Sequence, residues 1–258
     1  MLSSRNYTRS LLRRHSCSGG DEIMNIAVIL AGGVGSRVGA DIPKQFININ
    51  GKPVIAYTAE RFQNNKNIDV IEVVVHNDWM DECKDIMSKY NIAKVKWYTE
   101  GGKNFQESVI NGLKNLNGIA SDEDILVFSY SVSPYTTDEI IDDNISVCQK
   151  YGNAMAAEDV VLNTCIKDDE FGTTQGLIRE NLKGFSNPLS FKYGELRDAY
   201  EEATRLGILD KILPYPYFLY MELGKKVYFS KTNRKNFKIT TKEDLDLFKG
   251  LILLEKSY

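Results

Sequence analysis

The chain is predicted to form an α/β fold built on a mostly parallel sheet. Apolar runs of strand length alternate with stretches of helical period from residue 26 onward. The first run, Ile26-Ala27-Val28-Ile29, empties into a glycine-rich loop that carries two cations. A length of 258 residues suits one such domain, or one with a small insertion.

Taken in order, Ile26–Leu30 and Val70–His76 read as buried strands, with Val54–Asn65 an amphipathic helix between them. Trp79–Tyr90 is helical by apolar spacing, and Lys94–Tyr98 is strand-like. Gln106–Leu116 is a helix opened by the glycines before it, Ile125–Phe128 a short apolar strand and Asp138–Lys150 a helix. This alternation implies a sheet covered on both faces, which binds ligands beyond the carboxyl ends of its strands. Residues 153–180 break the rhythm: Ala154–Glu158, Asn163–Lys167 and Thr173–Arg179 look like short strands around the polar turn Asp168-Asp169-Glu170-Phe171-Gly172. Leu196–Leu206 is then helical, Lys226–Ser230 and Asn236–Ile239 are strands, and Lys242–Leu254 is the closing helix.

Composition narrows the function. Hydrophobic content of 43% and charged content of 26% are those of a soluble globular protein. The formal charge of −3 supplies no basic field to recruit nucleic acid. No apolar stretch approaches the roughly 20 residues of a membrane span. Cys17, Cys83, Cys148 and Cys165 are scattered without a C-x-x-C pair, as expected of reduced thiols in a cytoplasmic protein. The first twenty residues differ, with Arg5, Arg9, Arg13 and Arg14, several serines and no acid. That is the composition of an organellar transit peptide, or the result of a start codon placed too early, with Met24 as the working start. Residues 1–23 are expected to be a disordered basic extension, and residues 24–258 a single domain.

The loop at residues 30–46, LAGGVGSRVGADIPKQF, carries most of the functional information. Glycines after a buried strand present backbone N–H groups to an anion with no Cβ in the way. Arg37 and Lys44, seven residues apart, can reach one polyphosphate from two sides. A dinucleotide fingerprint fits badly, because Val38 stands where its third glycine belongs. A Walker loop fits no better, since Lys44 follows Pro43 and precedes Gln45. Nucleotide phosphate is the implied ligand. The bland alternative is a tight turn with two solvated cations.

The pattern LAGG-x-G-x-R-x-G-x-x-x-PKQF resembles the opening of the cytidylyltransferases that activate alditol phosphates, such as methylerythritol phosphate or ribitol 5-phosphate, with CTP. Gly51-Lys52-Pro53-Val54-Ile55 followed by Phe62 fits that family's next helix. Gly101-Gly102 with Ser108-Val109-Ile110-Asn111-Gly112-Leu113 fits its second nucleotide loop, and Asn236-Phe237-Lys238-Ile239-Thr240-Thr241 its closing strand. The resemblance implies a Rossmann-like, glycosyltransferase-A-like nucleotidyltransferase sheet, with residues 153–180 as a projecting β-arm that clasps a second subunit in a homodimer. An isolated hairpin is marginal in water, so an arm needs a partner surface.

By the same resemblance, CMP passes from CTP to an alditol phosphate. Arg37 and Lys44 would be catalytic, stabilising the α-phosphate and the leaving pyrophosphate. Leu30, Ala31, Gly32, Gly33, Gly35, Gly102 and Ser108 would bind the nucleotide. Lys238, Thr164 and Arg179 would bind the substrate. Each of these three has a structural alternative: pairing with Glu243 or Asp244 for Lys238, a plain strand threonine, and pairing with Glu180 or Asp168 for Arg179. His76 is expected to be a hydrogen-bonded structural histidine, and Tyr215, Tyr217 and Tyr220 to be packing. Mg²⁺ is the implied cofactor, but Tyr130 stands where the family carries its metal-binding Asp. Ser133 and Phe105 stand at two arginine positions, and Ser186-Asn187-Pro188-Leu189 at a Gln-Thr-Pro-Gln segment. These departures keep two further readings open: a catalytically weak nucleotide-binding relative, and a transferase with a different sugar-phosphate or phosphonate acceptor.

Overall fold

A computed structural model describes residues 23–33 and 42–255. Residues 1–22, and Gly35 and Arg37 of the first loop, lie outside the described residues. The chain forms β1 (Asn25–Ala31), the short hairpin β2 (Asn48–Ile49) and β3 (Lys52–Pro53), α1 (Val54–Asn64) and β4 (Val70–Val75). Next come α2 (Met80–Lys89), β5 (Val95–Glu100), α3 (Phe105–Asn115), β6 (Ile125–Tyr130), α4 (Asp138–Tyr151) and β7 (Asn153–Asp159). The arm holds β8 (Cys165–Ile166) and β9 (Gln175–Gly176), followed by β10 (Lys183–Lys192), α5 (Tyr193–Leu206), α6 (Pro216–Glu222), β11 (Phe229–Ser230) and α7 (Lys242–Glu255).

Seven strands form the central sheet in the order β11-β7-β10-β6-β1-β4-β5. All its pairings are parallel except those of β10, which runs against β6 and β7. Alternation along β1 divides the core. Ile26, Val28 and Leu30 point to the face covered by α3, α5 and α6, while Ala27, Ile29 and Ala31 meet α1, α2 and α4. Fully burying side chains such as Ile26, Ile29, Phe62 and Phe128 stabilises by about 1.5–3 kcal/mol each. The caps follow the sequence: Asn104 accepts from Glu107 N at the start of α3, and left-handed Gly152 and Gly207 end α4 and α5.

Three expectations are corrected. Asn236–Ile239 joins no ladder. It is an irregular segment pinned by the Ile239 N–H to the Val132 carbonyl (2.9 Å) and by the buried Asn236 side chain. Lys183–Lys192, for which no strand was expected, is a ten-residue strand inside the sheet. Pro188 sits at the register shift between Phe185 and Leu189, where the ladder to β7 is interrupted and no donor is asked of it. Finally, Asn153–Asp159 is a sheet strand whose first five residues are buried, so the segment leaving the body runs over about 160–182, not 153–180.

Candidate active site

Parallel strands β1, β4, β5 and β6 finish along one edge, and the segments leaving them enclose a cleft of about 560 Å³. The cleft lies at the carboxyl ends of the strands, where an open α/β sheet leaves its crevice. Leu30, Gly32, Gly33 and Lys44 line it together with Gly102, Ser108, Tyr130 and Lys238. Residues far apart in the chain thus meet in one concavity.

The two glycine loops touch. A Cβ built on Gly101 would lie 3.2 Å from the Gly32 Cα, and one on Gly32 would lie 3.2 Å from Ser108 Oγ. At Gly102 a Cβ would overlap Glu107 Cβ at 2.1 Å, so only glycine fits there. The second loop is tied internally: Gly102 N–H donates to Ser108 Oγ (3.0 Å), and that hydroxyl donates to the Asn104 carbonyl (2.9 Å). Ser108 therefore shapes the loop as well as lining the cleft. Ala31 is buried behind the lining and contributes its carbonyl to Gln45.

Gln45 is a residue that sequence reasoning passed over. Its buried amide donates to the Ala31 carbonyl (2.9 Å) and the Gly33 carbonyl (2.8 Å), bracing the first glycine turn from the strand end onward. Its place directly after Lys44 was the available signal. Pro43 introduces the short 3-10 turn Lys44–Phe46, which carries Lys44 to the cleft with its side chain buried.

The opposite wall is aromatic. Tyr130 packs on Phe105 (ring centroids 5.5 Å), and Phe105 on Tyr215 (5.0 Å). Burial, reinforced by Tyr217 and Tyr215, pushes the Tyr130 phenol far above its ordinary value and holds it neutral. The Lys238 ammonium lies over the Tyr130 ring, 3.7 Å from its centroid. His76 also lines the cleft, with Nδ1 accepting from Asp78 N (3.3 Å). Lys44, Lys103 and Lys238 stand against Glu100, the one carboxylate among the described lining residues. A chain of net negative charge has gathered cations at one edge, which suits an anionic ligand.

Residues 25–253 match the IspD family, 2-C-methyl-D-erythritol 4-phosphate cytidylyltransferase. The chain belongs to this family. It is 37% identical over 231 residues to the ribitol-5-phosphate cytidylyltransferase of Lacticaseibacillus paracasei, covering 89% of this chain and 98% of that one. It is 34% identical over 232 residues to the 2-C-methyl-D-erythritol 4-phosphate cytidylyltransferase of Clostridium botulinum, covering 90% and 98%. The fold is similar to the crystal structure of 4-diphosphocytidyl-2C-methyl-D-erythritol synthase from Anaerococcus prevotii, with a TM-score of 0.77 at 22% identity over 90% of this chain and 100% of that one.

In this cytidylyltransferase, Thr164 and Arg179 do not reach the cleft of their own chain. Both are exposed on the arm, where Thr164 Oγ1 donates to the Leu162 carbonyl (3.1 Å) and Arg179 pairs with Glu180 (3.2 Å). A divalent ion finds a poor donor set. Hard cations want several carboxylate or carbonyl oxygens, and the described lining offers Glu100 and a neutral phenol beside an ammonium. No cluster of three His, Cys, Asp or Glu side chains suited to a metal exists among the described residues. The residues present do not fit a metal held by the protein at Tyr130. No helix among the described residues is long and apolar enough to cross a membrane.

Proposed function

We propose that the chain transfers CMP from CTP to an alditol phosphate. An oxygen of the alditol phosphate attacks the α-phosphorus of CTP, the bond from that phosphorus to the bridging oxygen breaks, and pyrophosphate leaves. The products are a CDP-alditol and pyrophosphate. Supporting this reading is the cleft that gathers both glycine loops, Lys44 and Lys238 at the strand ends of a family member. Two anions must approach one another, so positioning and preplaced cations supply the rate, without a covalent nucleophile. Lys44 stabilises charge on the α-phosphate and leaving group, with Arg37 as its counterpart in the first loop. Lys238 meets the acceptor phosphate. Relatives named for ribitol 5-phosphate and for methylerythritol phosphate support the acceptor class. Mg²⁺ would come with the CTP phosphates, since no cluster of metal-holding side chains exists among the described residues.

The active form is a homodimer in the cytoplasm. The arm supports the first point: Leu162, Phe171 and Ile178 are exposed on it, Phe171 at 95%, and a two-stranded ribbon needs a surface to cover them. In such a dimer Thr164 and Arg179 serve the partner's cleft. Free thiols at buried Cys83 and Cys148 and exposed Cys165 support a reducing compartment.

Nucleotide choice is tested by thermal unfolding. CTP at 100 times its dissociation constant should stabilise by about 2.7 kcal/mol, and at equal concentration ATP, GTP and UTP should protect less. Equal protection by all four would reduce the cleft to a general phosphate site.

A further inference from the structure

We propose that the ring of Tyr130 is the perch that positions Lys238 over the cleft, so that the site places a lysine by an aromatic face where a metal-binding carboxylate would otherwise stand. The inference rests on the cytidylyl-transfer reading for what Lys238 meets, and on geometry alone for how Lys238 is held. At 3.7 Å from the ring centroid the ammonium is well inside the roughly 6 Å over which a cation is drawn to a ring face. Because burial keeps the phenol protonated, the contact is between an ammonium and a neutral ring. A carboxylate at this position would cancel the lysine's charge. A neutral ring steadies the ammonium without neutralising it.

Both halves of the pair are fixed by one buried network. The Tyr130 N–H donates to Asn187 Oδ1 (3.1 Å), and the ring is backed by Phe105. Asn187 Nδ2 donates to Thr136 Oγ1 (2.9 Å), which donates to Asn236 Oδ1 (2.9 Å), two residues before Lys238. The Asn236 amide returns to the Asn187 carbonyl and to Thr232 Oγ1. Beyond Lys238 the Ile239 N–H holds the Val132 carbonyl (2.9 Å). Asn187 thus connects the strand end that carries the ring to the segment that carries the ammonium. The side chains of Asn187, Thr136 and Asn236 are all buried, so the connection is sheltered from water. Tyr130 is a positioning residue in this scheme, and Lys238 is the group that touches substrate.

Kinetics of pyrophosphate release with CTP and ribitol 5-phosphate test the perch through a double-variant cycle. Tyr130→Leu should raise KM for ribitol 5-phosphate by about ten-fold, the scale of a partly desolvated cation–ring contact, with a smaller change in KM for CTP. Tyr130→Phe, which keeps the ring, should recover most of that loss. In a Lys238→Met background, Tyr130→Leu should add nothing. Multiplying effects in the double variant, or a Phe variant as poor as the Leu variant, would overturn the perch. A second measurement needs neither turnover nor the Leu variant to fold. The Lys238 ε-methylene resonance, assigned by its loss in Lys238→Met, should be moved upfield by the ring current of Tyr130 in the unaltered protein. A resonance at the ordinary lysine position would refute the perch whether or not the protein releases pyrophosphate. Absence of release with every acceptor would instead count against the transferase reading.

Discussion

Lys44 follows Pro43 directly, and that order determines where its ammonium goes. Proline fixes its own φ (−57° here) and opens the 3-10 turn, so the lysine is delivered from a short rigid segment. Lys44→Ala should lower kcat by roughly 100-fold or more, as when a preorganised charge stabiliser is removed. Near-normal turnover in a folded variant would remove Lys44 from the chemistry. The residue was legible because its position after Pro43 on a glycine loop has few structural uses. Gln45 was not, since its two acceptors are backbone carbonyls that declare themselves only once the turn is formed. Tyr130 was legible as a departure from the family pattern. Its contact with Lys238, more than a hundred residues away, was not.

At the scale of elements, β4 reads as an apolar strand yet carries a carboxyl in its middle. Glu72 is fully buried, and its Oε1 accepts from Thr99 Oγ1 (2.6 Å) and Asn115 Nδ2 (2.9 Å). Its Oε2 has no hydrogen-bond partner among the described residues and lies 3.3 Å from where a Cβ on Gly112 would sit. Burial raises its pKa from 4.5 to about 7, with the two hydrogen bonds opposing the shift. The folded protein therefore keeps this proton at pH values where the unfolded chain has lost it. The contribution of Glu72 to stability falls as pH rises from about 4.5 to about 7 and is constant above that. Glu72→Gln should abolish that slope and stabilise the fold above pH 7 by up to about 3 kcal/mol. Denaturation midpoints from pH 5 to 8 would check it, and parallel profiles for the two proteins would contradict it.

Element boundaries were legible wherever an apolar period was long. The parallel strands and α1 to α4 fall within a few residues of expectation, because their buried faces dictate the pattern. Lys183–Lys192 was hidden by Ser186, Asn187 and Pro188, polar and breaking residues that here serve a register shift and a hydrogen-bond network. Asn236–Ile239 has the composition of a strand. With Asn236 bonded to side chains and Ile239 to Val132, it makes those bonds outside any ladder.

For the whole molecule, the overall charge of −3 says little about the cleft, where three lysines face one carboxylate among the described lining residues. Only the meeting of four strand ends assembles that field. The arm makes a second claim at this scale. The solution mass should be twice the chain mass of 29.2 kDa, and Leu162→Asp with Ile178→Asp should halve it. A monomer at micromolar concentration in the unaltered protein would leave the arm without a partner.

The most direct measurement is pyrophosphate release from CTP by the full chain, offered ribitol 5-phosphate, methylerythritol phosphate and other polyol phosphates in turn, with the nucleotide product identified by mass. One alditol phosphate should release pyrophosphate in step with a CDP-alditol, and CTP alone should release none. Hydrolysis of CTP without a CDP-alditol, or no reaction with any acceptor, would contradict the assignment of this cleft to cytidylyl transfer.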